Sequence, residues 1–328
     1  MMGGAKPLTF LYKYTYTCVP DDFKVVLHFF RGVGMDVIRT IDERFENLPG
    51  FPYKPNYRDI EGLRVHYVDE GKGEMIVCLH GEPTWSYLYR KVIAGLSNDY
   101  RLVAPDFVGF GRSDKLSHED DYTFSLHLKT LEGLIASLGL SDITLVVQDW
   151  GGMIGLRFAV LHEELIRRLV ILNTGLPTGK KPGKAFLQWQ DFVRNTPDLP
   201  IDLVMQMGVY NKDLLTDEIM AGYLAPFPDA ASKAGARAWP LMVPVAEDHP
   251  TAAENRATRG GLEKWRKPAL VMFSDKDPIS AGADEFFRRL IPTAADQPAV
   301  TIADAGHFLQ EEKGEEIVGH IREFIART

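Results

Sequence analysis

From residue 60 to the C-terminus, short runs rich in β-branched and aliphatic residues alternate with amphipathic helical patterns. This rhythm commits the chain to a mostly parallel α/β sheet. The runs are 62–67, 75–79, 100–104, 143–147, 169–172, 269–273 and 299–302. Ile143-Thr144-Leu145-Val146-Val147 is almost unbroken in apolar and β-branched side chains, as expected of a strand covered on both faces. Just before it, Leu131, Leu134, Ile135 and Leu138 mark one face of a helix that Gly139 closes.

The rhythm breaks once. After residue 172 nearly a hundred residues pass before the next run at 269, and the insert 178–257 has helical patterning, frequent prolines and many aromatics. A structureless loop of that length is improbable in a compact chain, so the insert is predicted to form a helical cap over the sheet. Core segments 35–177 and 258–328 should flank it, with 1–34 as an N-terminal extension. Ligands of open α/β sheets bind beyond the carboxyl ends of the strands, so the chemistry should lie there, beneath the cap.

Charge and composition narrow the function. With 37 Lys plus Arg against 45 Asp plus Glu, the net charge is −8, which argues against nucleic acid or an anionic membrane as partner. Hydrophobic residues make up 45%, enough for a large core, yet no run approaches the ~18 apolar residues of a membrane span. Cys18 and Cys78 stand far apart and outside any metal or redox spacing, so neither a disulfide framework nor a structural zinc is expected. Residues 1–34 lack a convincing cleavage site and do not read as a signal peptide, which makes the cytoplasm the expected location. Either translation starts at Met35 or these residues form a packed extension.

Three strand ends carry candidate chemistry. In Val146-Val147-Gln148-Asp149-Trp150-Gly151-Gly152 a β-run stops at an acid and continues into a helix, the setting of a nucleophile elbow with Asp in place of Ser and Val147 in place of the first Gly. Asp149 could instead cap the following helix. His307 follows the last run in Ala303-Asp304-Ala305-Gly306-His307-Phe308, and Asp277 follows the preceding one. Nucleophile, acid, histidine is the chain order of α/β-hydrolase triads. Asp275 is a rival acid and Asn173 a rival position, although Asn cannot supply the charge that stabilises an imidazolium. After the 75–79 run, His80-Gly81-Glu82-Pro83-Thr84-Trp85 sits where this fold supplies one oxyanion-hole amide, with the residue after the nucleophile supplying the other. Those amides belong to Glu82 and Trp150. The pairs Glu311-Glu312 and Glu315-Glu316 read as solvated faces near the start of the final helix.

Together with Ala225-Pro226-Phe227-Pro228-Asp229 and His80-Gly81-Glu82-Pro83-Thr84-Trp85-Ser86-Tyr87-Leu88-Tyr89-Arg90, these strings resemble the haloalkane dehalogenases, in particular the subfamily of the Xanthobacter enzyme. The resemblance runs from about Met35 to the C-terminus. It implies an α/β-hydrolase fold with an eight-stranded, mostly parallel sheet, helices on both faces and a cap after the sixth strand. It implies Asp149 as nucleophile, His307 as base, Asp277 as its acid, and Trp150 with Trp189 as halide ligands. Phe186, Met153, Trp239, Pro240, Val243 and Ile279 would line the substrate pocket, Met153 and Trp239 standing where relatives carry phenylalanine. Small halogenated hydrocarbons, water and halide would be the partners of a monomer.

The residue types suit that chemistry. A carboxylate is ionised at neutral pH and attacks carbon without a base, unlike a serine hydroxyl. An unsolvated halide is costly in a dry pocket, and indole N–H groups donate without accepting. The nearest alternative is an epoxide hydrolase, which shares the Asp-Trp-Gly-Gly string and opens its ring with two lid tyrosines; Tyr210 and Tyr223 lie in the insert. A fluoroacetate-type enzyme would want a cation beside the nucleophile, and no Arg follows Asp149. A non-catalytic hydrolase-fold protein that binds a hydrophobic ligand under its cap is the third reading.

Overall fold

A computed structural model describes residues 36–180 and 182–328, together with the strands Tyr16–Thr17 and Lys24–His28. Eight strands form the central sheet: β1 (Asn56–Ile60), β2 (Leu63–Gly71), β3 (Glu74–Leu79), β4 (Tyr100–Pro105), β5 (Ile143–Val147), β6 (Ile166–Ile171), β7 (Ala269–Ser274) and β8 (Val300–Ile302). Their order is β1-β2-β4-β3-β5-β6-β7-β8, and only β2 runs against its neighbours. β5, buried along its whole length, pairs with β3 on one side and β6 on the other. A small antiparallel sheet joins Tyr16–Thr17, Lys24–His28, Asp36–Thr40 and Lys115–Leu116. The remaining residues of the 1–34 extension lie outside the described set.

Topology decides which face each helix covers. Helix α1 (Arg90–Leu96) connects β3 to β4 towards one edge of the sheet, whereas α3 (Trp150–Leu161) connects β5 to β6 towards the other. Crossovers between parallel strands are right-handed as a rule, which sends these two helices to opposite faces. The C-terminal helix α10 (Leu309–Ala326) packs on α1, and α2 (Phe124–Ser137) packs on α3. The strand order reverses between β3 and β5, whose carboxyl ends carry Glu82 and Asp149. That switch point is where an open α/β sheet leaves room for a ligand.

Between β6 and β7 the insert folds into α4 (Lys184–Arg194), α5 (Ile201–Gly208), α6 (Asp217–Leu224) and α7 (Ala234–Met242). Helix α8 (Pro250–Leu262) straddles residue 257, where the cap was expected to end, and packs on α3 of the core. Helix α9 (Ala283–Leu290) follows β7. Among the described residues, no helix is long and apolar enough to cross a membrane.

The acidic pair Glu311-Glu312 is not a solvated face. Glu311 is buried and takes both arms of Arg90 at 2.6 Å and the hydroxyl of Tyr223 at 2.5 Å. Glu312 accepts backbone N–H bonds from Tyr210, Asn211 and Gly306 at 2.6–3.0 Å. A carboxylate loses too much on leaving water to be buried alone, so each is enclosed by donors that also fasten cap to core. Glu315 and Glu316 are exposed, as expected.

Candidate active site

Asp149 sits at φ 51°, ψ −122°, outside the ordinary regions for a non-glycine residue. Such strain persists only where the surroundings enforce it. Its N–H donates to the Asn173 carbonyl at 2.8 Å, and its own carbonyl accepts the Thr174 hydroxyl at 2.6 Å. Glycines let the chain close in: a Cβ on Gly81 would stand 2.2 Å from Asp149 Oδ1, and one on Gly151 would stand 2.2 Å from the Leu79 carbonyl oxygen. Val147 fits in place of the usual first glycine because Gly155, across the turn in α3, has no Cβ to meet it.

Although Asp149 precedes α3, its side chain does not cap that helix. Oδ1 instead accepts the backbone N–H of Glu82 at 2.8 Å, and Oδ2 lies 3.5 Å from His307 Nε2. His307 Nδ1 is 2.8 Å from Asp277 Oδ2, while the other Asp277 oxygen accepts the Ile279 N–H at 2.8 Å. Asp275 is exposed and pairs with Lys276. Asn173 clamps the histidine loop, donating to the carbonyls of Gly306 and His307 at 3.1 and 3.2 Å. Burial works against a charged imidazole at His307, but the carboxylates of Asp277 and Asp149 outweigh it and hold its pKa well above the ordinary value. The imidazole in turn overcomes the burial of Asp277 and keeps that carboxyl below the usual range.

A cavity of about 350 Å³ opens over the carboxylate, walled by Glu82, Trp150, Phe186, Trp189, Pro240, Val243 and Ile279 among others. A second chamber of about 330 Å³ meets it at Asp149 and His307 and is bounded by Met153, Thr174, Arg259 and Phe286. Among the described residues, no protein acceptor takes the indole N–H of Trp150 or Trp189. Beside them the Glu82 carboxyl is pushed well above its ordinary pKa, first by burial and then by the Asp149 charge, and its Oε1 has no partner.

Residues 74–314 match the family model described as alpha/beta hydrolase fold. The chain is 46% identical to a haloalkane dehalogenase of Mycobacterium marinum over 88% of this chain and 99% of that one. It is 42% identical to a haloalkane dehalogenase of Psychrobacter cryohalolentis over 89% and 98%. Among solved structures, the tetrameric haloalkane dehalogenase DpaA of Paraglaciecola agarilytica superposes with a TM-score of 0.82 at 34% identity, covering 87% of this chain and 97% of that one. The chain belongs to the haloalkane dehalogenases.

Within this haloalkane dehalogenase one pocket assignment needs correction. Trp239 lines neither chamber. It is fully buried behind Trp150, stacked on it with ring centroids 5.2 Å apart, and its N–H donates to His127 Nε2 at 2.6 Å. Burial and the neighbouring His80 depress the His127 pKa to about 3, which keeps that nitrogen an acceptor. Trp239 thus backs the indole expected to meet the halide rather than the substrate itself.

Three contributors escaped the sequence reading. Gln148, fully buried, places its amide nitrogen 3.1 Å from His307 Nε2 and 3.3 Å from the His307 carbonyl oxygen. Its place directly before the elbow residue is the one signal that points to it. Glu312 holds the amide of Gly306, next to the histidine. Arg259 arrives from α8, and nothing in its local sequence marks it.

Proposed function

We propose that this chain hydrolyses the carbon–halogen bond of small haloalkanes to alcohol, halide and a proton, with Asp149 as nucleophile, His307 as base and Asp277 as its acid. One observation carries the assignment: Oδ1 of Asp149 already rests on the Glu82 amide, while Oδ2 faces the cavity within 3.5 Å of His307 Nε2. Oδ2 attacks the halogenated carbon, and the electron pair of the breaking bond leaves with the halide towards the indoles of Trp150 and Trp189. Oδ1 becomes the carbonyl oxygen of an alkyl ester.

Esterification removes the Asp149 charge and so weakens the pull on the His307 proton. The imidazole becomes a base when one is needed. Water gives a proton to Nε2 and adds to the ester carbonyl, and the oxyanion forms on Oδ1 against the amides of Glu82 and Trp150. Collapse breaks the ester bond; the former Oδ2 leaves with the alkyl group and takes the proton of the newly added hydroxyl, which gives the alcohol and restores the Asp149 carboxylate. Asp277 stabilises the transient imidazolium, which returns its proton to water. None of these steps calls for a metal or a cofactor.

The cap, residues 178–257, brings Phe186, Trp189, Pro240 and Val243 to the core segments 35–177 and 258–328. Epoxide opening fits less well. Tyr223 is committed to Glu311, Tyr210 is exposed, and neither lines a chamber. We place the protein in the cytoplasm as a monomer; light scattering that gave a tetramer, as in the Paraglaciecola relative, would replace that state. The deciding experiment is a single turnover of 1,2-dibromoethane in heavy-oxygen water. The first alcohol should carry unlabelled oxygen from Asp149, and labelled alcohol would overturn the covalent route.

A further inference from the structure

The chamber on the Met153 side contains Arg259, the one arginine or lysine in either chamber lining. Its Nε–H donates to the Leu176 carbonyl at 2.8 Å, with Nη2 reaching the same oxygen, and its guanidinium lies 4.6 Å from the centre of the Phe286 ring. No carboxylate pairs with it among the described residues, and Nη1 is left without a partner. Burial disfavours its charge. A planar cation clamped along one edge and stacked on one face presents its remaining N–H groups in a fixed direction, the arrangement that recognises a carboxylate. The same chamber receives the start of α4, whose N-cap Gly183 offers no side-chain acceptor and whose first turn carries no acid. This second source of positive potential adds to the first.

We propose that this chamber is a subsite for the carboxylate of a halogenated alkanoate, whose halogenated end reaches Asp149 where the two chambers meet. The substrate class follows from that geometry: an unbranched chain with halogen at one end and carboxylate at the other. Its hydrolysis is the reaction already assigned, with water consumed and hydroxyalkanoate, halide and a proton released. The inference rests on that dehalogenase reading.

The test compares kcat/KM for ω-bromoalkanoates, from bromopropanoate to bromooctanoate, with that for 1-bromoalkanes of matched length. In the parent, at least one chain length should give a carboxylate-to-neutral ratio above one. Arg259→Leu should lower that ratio about 10- to 100-fold, the scale of one charge-assisted hydrogen-bonded pair. Arg259→Glu should lower it further and favour ω-bromoalkyl-trimethylammonium chains. A ratio below one at every length, or one that Arg259→Leu leaves unchanged, overturns the subsite. A parent inactive on bromoalkanes and bromoalkanoates alike overturns the dehalogenase reading and the subsite with it. Should the variants fail to fold, the parent alone decides: hexanoate should inhibit 1-bromobutane turnover at lower concentration than hexanol, and equal inhibition refutes the proposal.

Discussion

The amide nitrogen of Gln148 faces Nε2 of His307 at 3.1 Å and the carbonyl oxygen of the same residue at 3.3 Å. A carbonyl only accepts, so the amide presents its N–H groups, and it can donate to Nε2 only while that nitrogen keeps its lone pair. Asp149 Oδ2, Asp277 Oδ2 and the nearby Glu82 carboxyl all face the same ring from other elements. Gln148 therefore opposes the two aspartates, which favour the protonated ring. Replacing it with methionine should move the acid limb of kcat upward by about 0.4 to 1 pH unit, the equivalent of one neutral hydrogen bond. The first equivalent of halide should still appear at the parent rate. A burst and a pH profile that fall together would mean that Gln148 only holds the fold.

Without the base, His307→Gln should release one halide per site and stop, leaving protein heavier by the alkyl group on intact-mass analysis. Sustained turnover by this variant would remove His307 from the second step.

Burial and the neighbouring Asp149 charge raise the Glu82 pKa and favour its neutral carboxyl, for which glutamine is a close stand-in. As pH rises through the raised value, the parent gains a second negative charge beside Asp149 and the leaving halide, and kcat should fall. Glu82→Gln should hold its rate on that limb. The unfolded chain ionises this group near ~4.3, so the folded protein binds more protons and loses stability as pH rises between the two values. The melting temperature of the glutamine variant should accordingly gain on that of the parent as pH rises through that window. Matching profiles would show that Glu82 is already ionised.

Loss of one indole donor should weaken halide binding. Trp189→Phe is expected to raise the bromide dissociation constant about 10-fold, close to the worth of one hydrogen bond to an anion. Trp189 is partly exposed and water can take its place, so the buried Trp150 should cost more. Titration of the remaining tryptophan fluorescence with bromide reads both.

Truncating Glu312 to alanine would strand the N–H groups of Tyr210, Asn211 and Gly306. A loss of about 3 kcal/mol in urea unfolding is expected. Catalysis should suffer as well, because Gly306 precedes the base. A loss under about 0.5 kcal/mol would show that water replaces the carboxylate.

What could be read from sequence was whatever depends on local pattern. The continuous apolar run 143–147, the turn residues after it and the order Asp149, Asp277, His307 are local or ordinal features, and all three lie at strand ends of one site. Strand β1 was missed because Asn56-Tyr57-Arg58-Asp59-Ile60 is an edge strand whose polar residues stay half in water. Glu311 and Glu312 were misread because their partners, Arg90, Tyr210 and Tyr223, stand far away in the chain. Trp239 was misplaced for a related reason: a cap aromatic in the right helix can face the ligand or stand behind another ring, and its acceptor His127 belongs to α2. Arg259 joins Asp149 in one chamber lining only through the packing of α8 on α3.

Two hollows that share one carboxylate in their walls also bear on a question of traffic. In a blind cul-de-sac, an alkyl group bonded to the enzyme would plug the passage by which its own hydrolytic water has to arrive. With a second chamber beside the carboxylate, one hollow can hold the alkyl tail while the other keeps room for the water that frees it.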